Sequence, residues 1–209
     1  MTTGVKRLPA RFYRSDTGRE PVREWLKSLD SEDRRIIGED IKDIEFSWPI
    51  GMPLVRPLGR ELWEVRSSLP HGRIARVLFC IEHDCMLLLH GFMKKTQETP
   101  IRDIDLAIRT QEGNRSMKKK NVGSTFDSWL REEGIYEKVS ATAIKRVVAR
   151  QVEAAMQQKG LTKVEMARRM HTSRSALDRL LDPENDAITL STLQKAAAVV
   201  GRQVRLELV

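Results

Sequence analysis

Leu87-Leu-Leu-His-Gly-Phe-Met-Lys-Lys-Thr-Gln-Glu-Thr-Pro-Ile-Arg-Asp-Ile-Asp105 opens as an apolar run, passes a glycine and two lysines, and closes on a helix start. The run of leucines predicts a short buried strand ending near His90, with a turn at Gly91. Thr99 is a capping residue, Pro100 suits the first helical position, and Asp103 favours the positive end of the helix. Lys94 and Lys95, followed by Thr96 and Gln97, then form a cationic shelf beside backbone N–H groups, where phosphate oxygens can be held. The competing reading is a basic loop between core elements, since lysine is a common surface residue.

Two further strands precede this one. Leu62-Trp-Glu-Val-Arg66 and Ile74-Ala-Arg-Val-Leu-Phe-Cys80 lead to Met86-Leu-Leu-Leu-His90 through short connectors, which predicts an antiparallel meander. Upstream, Arg11-Phe-Tyr-Arg14 reads as a strand. Pro21 starts a helix carrying Val22, Trp25, Leu26 and Leu29, and Ser31 starts a second with Ile36, Ile37, Ile41 and Ile44 at helical spacing. The prolines and Gly51 between Pro49 and Pro57 predict a loop. The order strand, helix, helix, three strands, helix is that of an α+β domain with a small antiparallel sheet.

The polar stretch from Gly113 to Ser124 reads as a joint, giving a first domain over 1–113, a linker over 114–123 and a second domain over 124–209. Met117 followed by three lysines looks like the start of an independent protein. The net charge of +8 is uneven: residues 1–116 hold 20 Lys and Arg against 18 Asp and Glu, and residues 117–209 hold 17 against 11. That excess suits a DNA-binding module. No apolar run approaches the roughly 20 residues that cross a bilayer, and the first residues lack an apolar signal core. The expectation is a cytoplasmic protein without membrane contact. Cys80 and Cys85 are read as small hydrophobes, because two cysteines make neither a zinc site nor a cytosolic structural disulfide. No metal and no cofactor are expected.

The second domain reads as all-α, with helices over Ser124–Glu132 and Ser140–Gln158, two short ones to Met170 and over Arg174–Leu181, and one after Thr189. Gln203 to Leu208 alternates like an edge strand. Thr162-Lys-Val-Glu165 matches a capping box. Two short helices separated by His171-Thr-Ser173, with Leu177 and Leu180 as packing residues, predict a helix-turn-helix, against the plainer reading of a helical bundle. Ser173, Arg174, Ser175 and Arg179 then line the helix that meets base edges, while Thr162 and Lys163 grip phosphate. Asp178 is expected to pair with Arg174. Trp129, on a short amphipathic segment ahead of that core, is expected with Tyr136 at an interface between the two parts.

Phe126-Asp-Ser-Trp-Leu-Arg-Glu-Glu-Gly-Ile-Tyr136, Ala143-Ile-Lys-Arg-Val147 and Leu161-Thr-Lys-Val-Glu-Met-Ala167 onward to Leu193 resemble the Xre/Cro-type antitoxins of the HigA kind, with His171 where such turns often have Gly. Leu62-Trp-Glu-Val-Arg66, Arg76-Val-Leu-Phe79 and Leu88-Leu-His-Gly-Phe-Met-Lys-Lys-Thr-Gln-Glu-Thr-Pro100 resemble the HigB-like branch of the RelE superfamily of toxins. The resemblance implies a type II toxin and antitoxin in one chain. The first domain is then a metal-independent, ribosome-dependent mRNA endoribonuclease. The second neutralises it, binds operator DNA as a homodimer and represses transcription. Arg76 and Lys95 match family positions that hold the scissile phosphate, with Lys94 and Arg66 as close candidates. His90 is the proton-transfer candidate, weighed against a core histidine. Two other classes stay open: a transcription regulator with an inert first domain, and a gyrase inhibitor of the related ParE kind.

Overall fold

Along Ile74–Glu82 the residues Ala75, Val77 and Phe79 point to one side of a sheet and Leu78 and Cys80 to the other, and all five are buried. A strand apolar on both sides needs cover on both, and the computed structural model shows how it is supplied. It describes residues 6–94, 99–116, 121–182, 185 and 189–204. Packing divides the described chain into two compact units, one over Lys6–Val139 and one that begins at Ser140.

In the first unit the strands are β1 (Ala10–Tyr13), β2 (Val55–Gly59), β3 (Leu62–Ser68), β4 (Ile74–Glu82), β5 (Cys85–Met93) and β6 (Val122–Thr125). They form one sheet in the order β2-β3-β4-β5-β1-β6. The meander β3-β4-β5 is antiparallel as expected, but β1 runs parallel to β5, so the sheet is mixed rather than antiparallel. The helices are α1 (Pro21–Lys27), α2 (Ser31–Ser47), α3 (Ile101–Ser116) and α4 (Phe126–Glu132). One face buries Phe12, Val65, Val77, Phe79 and Leu88 with Val22 and Leu26 of α1, and Ile37, Ile41 and Ile44 of α2. The other buries Leu62, Leu78, Cys80 and Leu87 with Ala107 of α3, with Ile104 and Ile108 packed alongside.

Two expectations change here. The stretch 49–57, read as a loop, ends in β2, which tolerates Pro57 because it is the edge strand. Gly91 is not a turn: β5 runs through it to Met93. The glycine is needed because a Cβ there would stand 2.3 Å from Trp25 Cε3, so the indole lies directly on the strand backbone.

The joint predicted over 114–123 also contains structure. Residues 122 and 123 lie in β6, and packing divides the chain between Val139 and Ser140, inside the single helix α5 (Tyr136–Gln158). Strand β6 pairs antiparallel with β1, and α4 follows, capped by Thr125, whose hydroxyl accepts from Ser128 N. Trp129, Phe126 and Leu130 of α4 are fully buried. Their rings meet Phe12, with centroids 5.7 Å away for Phe126 and 6.0 Å for Trp129. Asp127 lies between two lysines, 2.6 Å from Lys6 and 2.8 Å from Lys42, and Glu45 takes both lysines from the other side at 3.0 and 2.8 Å. Glu20 accepts from the backbone and hydroxyl of Ser124 at 2.6 and 2.7 Å. Arg23 pairs with Glu132 and Arg34 with Glu133. Tyr136 lies under the Arg131 guanidinium at 4.0 Å and beside Lys42 at 5.3 Å. Residues 121–139 therefore complete the core of the first unit.

In the second unit α5 is followed by α6 (Lys163–Arg169), α7 (Arg174–Leu181) and α8 (Leu190–Val199), around Val152, Met156, Met166, Ala167, Leu177, Leu180 and Ala196. Its described elements are all helical. Residues 205–208 of the expected edge strand lie outside the described residues.

Burial, the largest influence on Asp127, opposes its charge, but the hydrogen bonds from Lys42 and Lys6 outweigh it and hold its carboxyl below the ordinary value. The native carboxyl thus binds its proton more weakly than the unfolded one. Its stabilisation is complete above the ordinary carboxylate range near pH ~4 and is lost as pH falls below that. Asp127→Asn is expected to destabilise the chain by on the order of 2 kcal/mol at neutral pH. It should also flatten the acid limb of a urea-midpoint against pH curve.

Candidate active site

The side of the sheet that α3 covers is apolar under the helix and polar beyond it. Leu62, Glu64 and Arg66 alternate onto this side of β3. Cross-strand register sets Arg56 of β2 against Glu64, Arg66 against Arg76 of β4, Leu78 against His90 of β5, and Arg76 against Phe92. The sheet thus brings Arg66, Arg76 and His90 together, three residues the sequence selects from separate strands. Lys94 follows β5; its N–H donates to Ile74 O at 2.8 Å, and strand alternation sets it on the same side, half-buried. Lys95 lies outside the described residues.

Arg76 differs from expectation. It is 0% exposed, although the resemblance assigns it to the scissile phosphate. Its Nη1 donates to Glu64 Oε2 at 3.2 Å and also meets the Thr99 hydroxyl, which itself donates to Glu64 Oε2. Burial is the largest influence on its guanidinium and pushes the pKa down; Glu64 opposes this, and Arg66 and Arg56 add to it. Arginine still keeps its charge here, so Glu64 is its necessary counter-ion. Among the described residues, the cations that reach solvent on this side include Arg56, which is exposed, the half-buried Lys94, and Arg66, whose side chain is 24% exposed and whose Nε stands 3.4 Å from Glu64 Oε1.

His90 is half-buried and its ring stacks on Phe92 at 5.4 Å. Its Nε2 donates to Asp103 Oδ1 at 3.0 Å. An ionised carboxylate only accepts, so in this contact the ring nitrogen is the donor. Asp103, read in sequence as a helix-end charge, is thus also the partner that orients an imidazole.

Glu64, Arg56 and Thr99 were missed as site residues. Glu64 had a signal: two charges at alternate positions of an otherwise apolar strand. Arg56 had none, because its stretch reads as loop, and the contact of Thr99 is tertiary. An open cleft elsewhere, lined by Arg14, Arg19, Glu20, Arg23, Glu24 and Lys27, offers less chemistry. Arg14 and Arg23 are taken by Glu20, and Arg19 by Glu24.

In the second unit Thr162 caps α6, Ser173 caps α7, and Arg174, Ser175 and Arg179 are exposed on α7. The capping box is half formed. Thr162 accepts from Glu165 N at 3.2 Å, but the Glu165 carboxylate turns to Arg168 and Arg169, and the Arg168 hydrogen bonds, the largest influence, hold it down at about 2. His171 has φ +51°, the left-handed conformation that glycine adopts freely. Asp178 lies 2.9 Å from Lys163 as well as 3.8 Å from Arg174.

The first unit is thus an α+β domain whose mixed sheet presents basic residues from one end of one face. Residues 24–112 match the family described as phage-derived protein Gp49-like (DUF891), a toxin-type family of the RelE and HigB kind. The match spans β2 to β5 with α2, and leaves out β1, β6, α4 and the second unit. No curated protein matches the chain. Among the described residues, no helix is long and apolar enough to cross a membrane.

Arg76→Ala takes from Glu64 its buried counter-ion, leaving only the partly exposed Arg66 beside it, and is expected to cost about 3 kcal/mol. Arg66→Ala, on a partly exposed side chain, is expected to cost under about 1 kcal/mol. Urea denaturation of the two variants side by side measures the difference.

Proposed function

We propose that the chain is a toxin and its antitoxin in one polypeptide, in which the first unit is a metal-independent mRNA endoribonuclease and the second is a DNA-binding repressor. The carrying observation is that one side of the sheet holds Arg56, Arg66, Lys94 and the carboxylate-bound His90, in a stretch that matches a toxin-type family. In RNA cleavage the 2′-OH attacks the neighbouring phosphorus, and a pentavalent phosphorane forms with extra negative charge. Arg66 and Lys94 supply the cations that stabilise it. His90 exchanges the proton through Nδ1 while Asp103 holds the ring. Lys95 belongs to the same proposal by its family position.

In the second unit Arg174, Ser175 and Arg179 read bases, with Ser173 at the start of that helix and Thr162 and Lys163 toward phosphate. Operator DNA is then met by a homodimer whose recognition helices lie about one turn of DNA apart. The antidote role falls in part on residues 121–139, which complete the toxin-like core from the edge of β1 and the face of α1 and α2. Arg56 and Arg66 lie at the other end of the sheet, so this segment restrains the enzyme without covering those two arginines.

The test is controlled expression of residues 1–116 alone, of 1–116 together with 117–209, and of the whole chain, with mRNA 5′ ends mapped on translating ribosomes. New ends at codon-defined positions are expected with 1–116 alone and not in the other two. Arrest with DNA-damage signalling and no new ends would move the target to gyrase, and no arrest from a 1–116 fragment shown by circular dichroism to be folded would leave a regulator with an inert first unit. For the second unit, the whole chain should shift DNA from upstream of its own gene, and Arg174→Ala should weaken that binding about tenfold or more.

A further inference from the structure

Three arginines on three adjacent strands surround one carboxylate. Arg56 is directly across from Glu64, Arg66 is two residues along the same strand, and Arg76 is directly across from Arg66. Like charges at cross-strand spacing repel, and a single carboxylate against three guanidiniums leaves the group cationic. Glu64 is 0% exposed. One of its oxygens is engaged by Arg76 and Thr99, and the other stands 3.4 Å from Arg66 Nε.

A carboxylate beside a phosphate site weakens anion binding, so attraction does not explain its place. Geometry does. Glu64 is held from below by two buried partners, which makes it a rigid anchor. It meets Arg66 through Nε, the nitrogen nearest the chain, in an ion pair at 3.4 Å that is not a hydrogen bond, while among the described residues Nη1 reaches only the weak acceptor Met52 Sδ at 3.8 Å. The fork of terminal donors, the part that grips phosphate oxygens in pairs, is thereby aimed without being consumed.

We propose that Glu64 is a positioning residue of the ribonuclease reaction: with Arg76 and Thr99 as buried partners, it fixes the Arg66 guanidinium at the angle from which it meets the substrate phosphate. The assignment rests on the ribonuclease reading above. It gives Arg76 an internal task, holding Glu64, instead of contact with RNA.

The test uses the full chain with 15N-labelled arginine and follows the Arg66 Nε–Hε signal by heteronuclear NOE. Arg174, whose side chain is 68% exposed, serves as the mobile reference. In the wild type Arg66 is expected to be rigid, and to shift when a 2′-O-methyl trinucleotide is added as an uncleavable probe. In Glu64→Gln it should fall to the mobility of Arg174, while the affinity for the trinucleotide stays within about threefold, because a negative charge has been removed. The double variant Glu64→Gln/Arg76→Met removes both buried charges together, so it guards against misfolding of the single variant, and it should loosen Arg66 in the same way. An Arg66 that stays rigid in both variants overturns the positioning role. A wild-type Arg66 that is rigid but blind to the trinucleotide overturns the contact of Arg66 with the substrate phosphate instead.

Discussion

A sheet that is apolar on both sides has to be covered on both, and in this chain the cover on one side is incomplete. α1, α2 and α4 close the first face, whereas α3 shields the second only around Leu78, Cys80, Leu87 and Ala107. Beyond it, at the β2–β4 end, the same side of the sheet has to be stable in contact with water. The chain answers with Arg56 and Arg66 where that side meets water, and with the buried pair Glu64 and Arg76 between them and the core. The candidate site is therefore what the packing of the rest leaves open. Its one buried ion pair, Glu64 with Arg76, is what lets charge extend under the start of α3 at Thr99.

The same demand for cover explains why residues 121–139 belong with the first unit. β1 is a four-residue strand, and without β6 its outer edge would present unpaired backbone groups. Without α4, Phe12 would lose its two ring neighbours, Phe126 and Trp129. Charge reinforces the contact, since Asp127 shares two lysines with Glu45 and Glu20 binds Ser124. Gly123 follows the same logic: a Cβ there would meet Glu20 Oε1 at 2.2 Å and Phe12 O at 2.9 Å.

Much of this was legible in the residues. Period-two alternation marked β3, β4 and β5, and period 3.6 with caps marked α2, α3 and the short helices of the second unit. His171 stood out as occupying a glycine-like position, and its backbone is left-handed. The failures share a cause. Pro57 and Gly91 are loop residues by local propensity, yet one sits on an edge strand and the other makes room for Trp25. Glu165 looked like half of a capping box, yet two arginines on its own helix outcompete the backbone N–H for its carboxylate.

By itself the sequence determined the element types, the short strand-helix-helix-meander order, the helical second part and the set of basic residues from which a site could be drawn. These follow from local periodicity and capping, which need only neighbours within a few positions. Only the tertiary structure decided that β1 lies parallel to β5, that the strand and helix after the joint complete the core before it, and that Arg76 is sealed beneath Thr99 while Arg66 faces solvent. Those outcomes depend on contacts between residues tens of positions apart. Whether an arginine meets substrate or supports its neighbour is a matter of which helix happens to cover it.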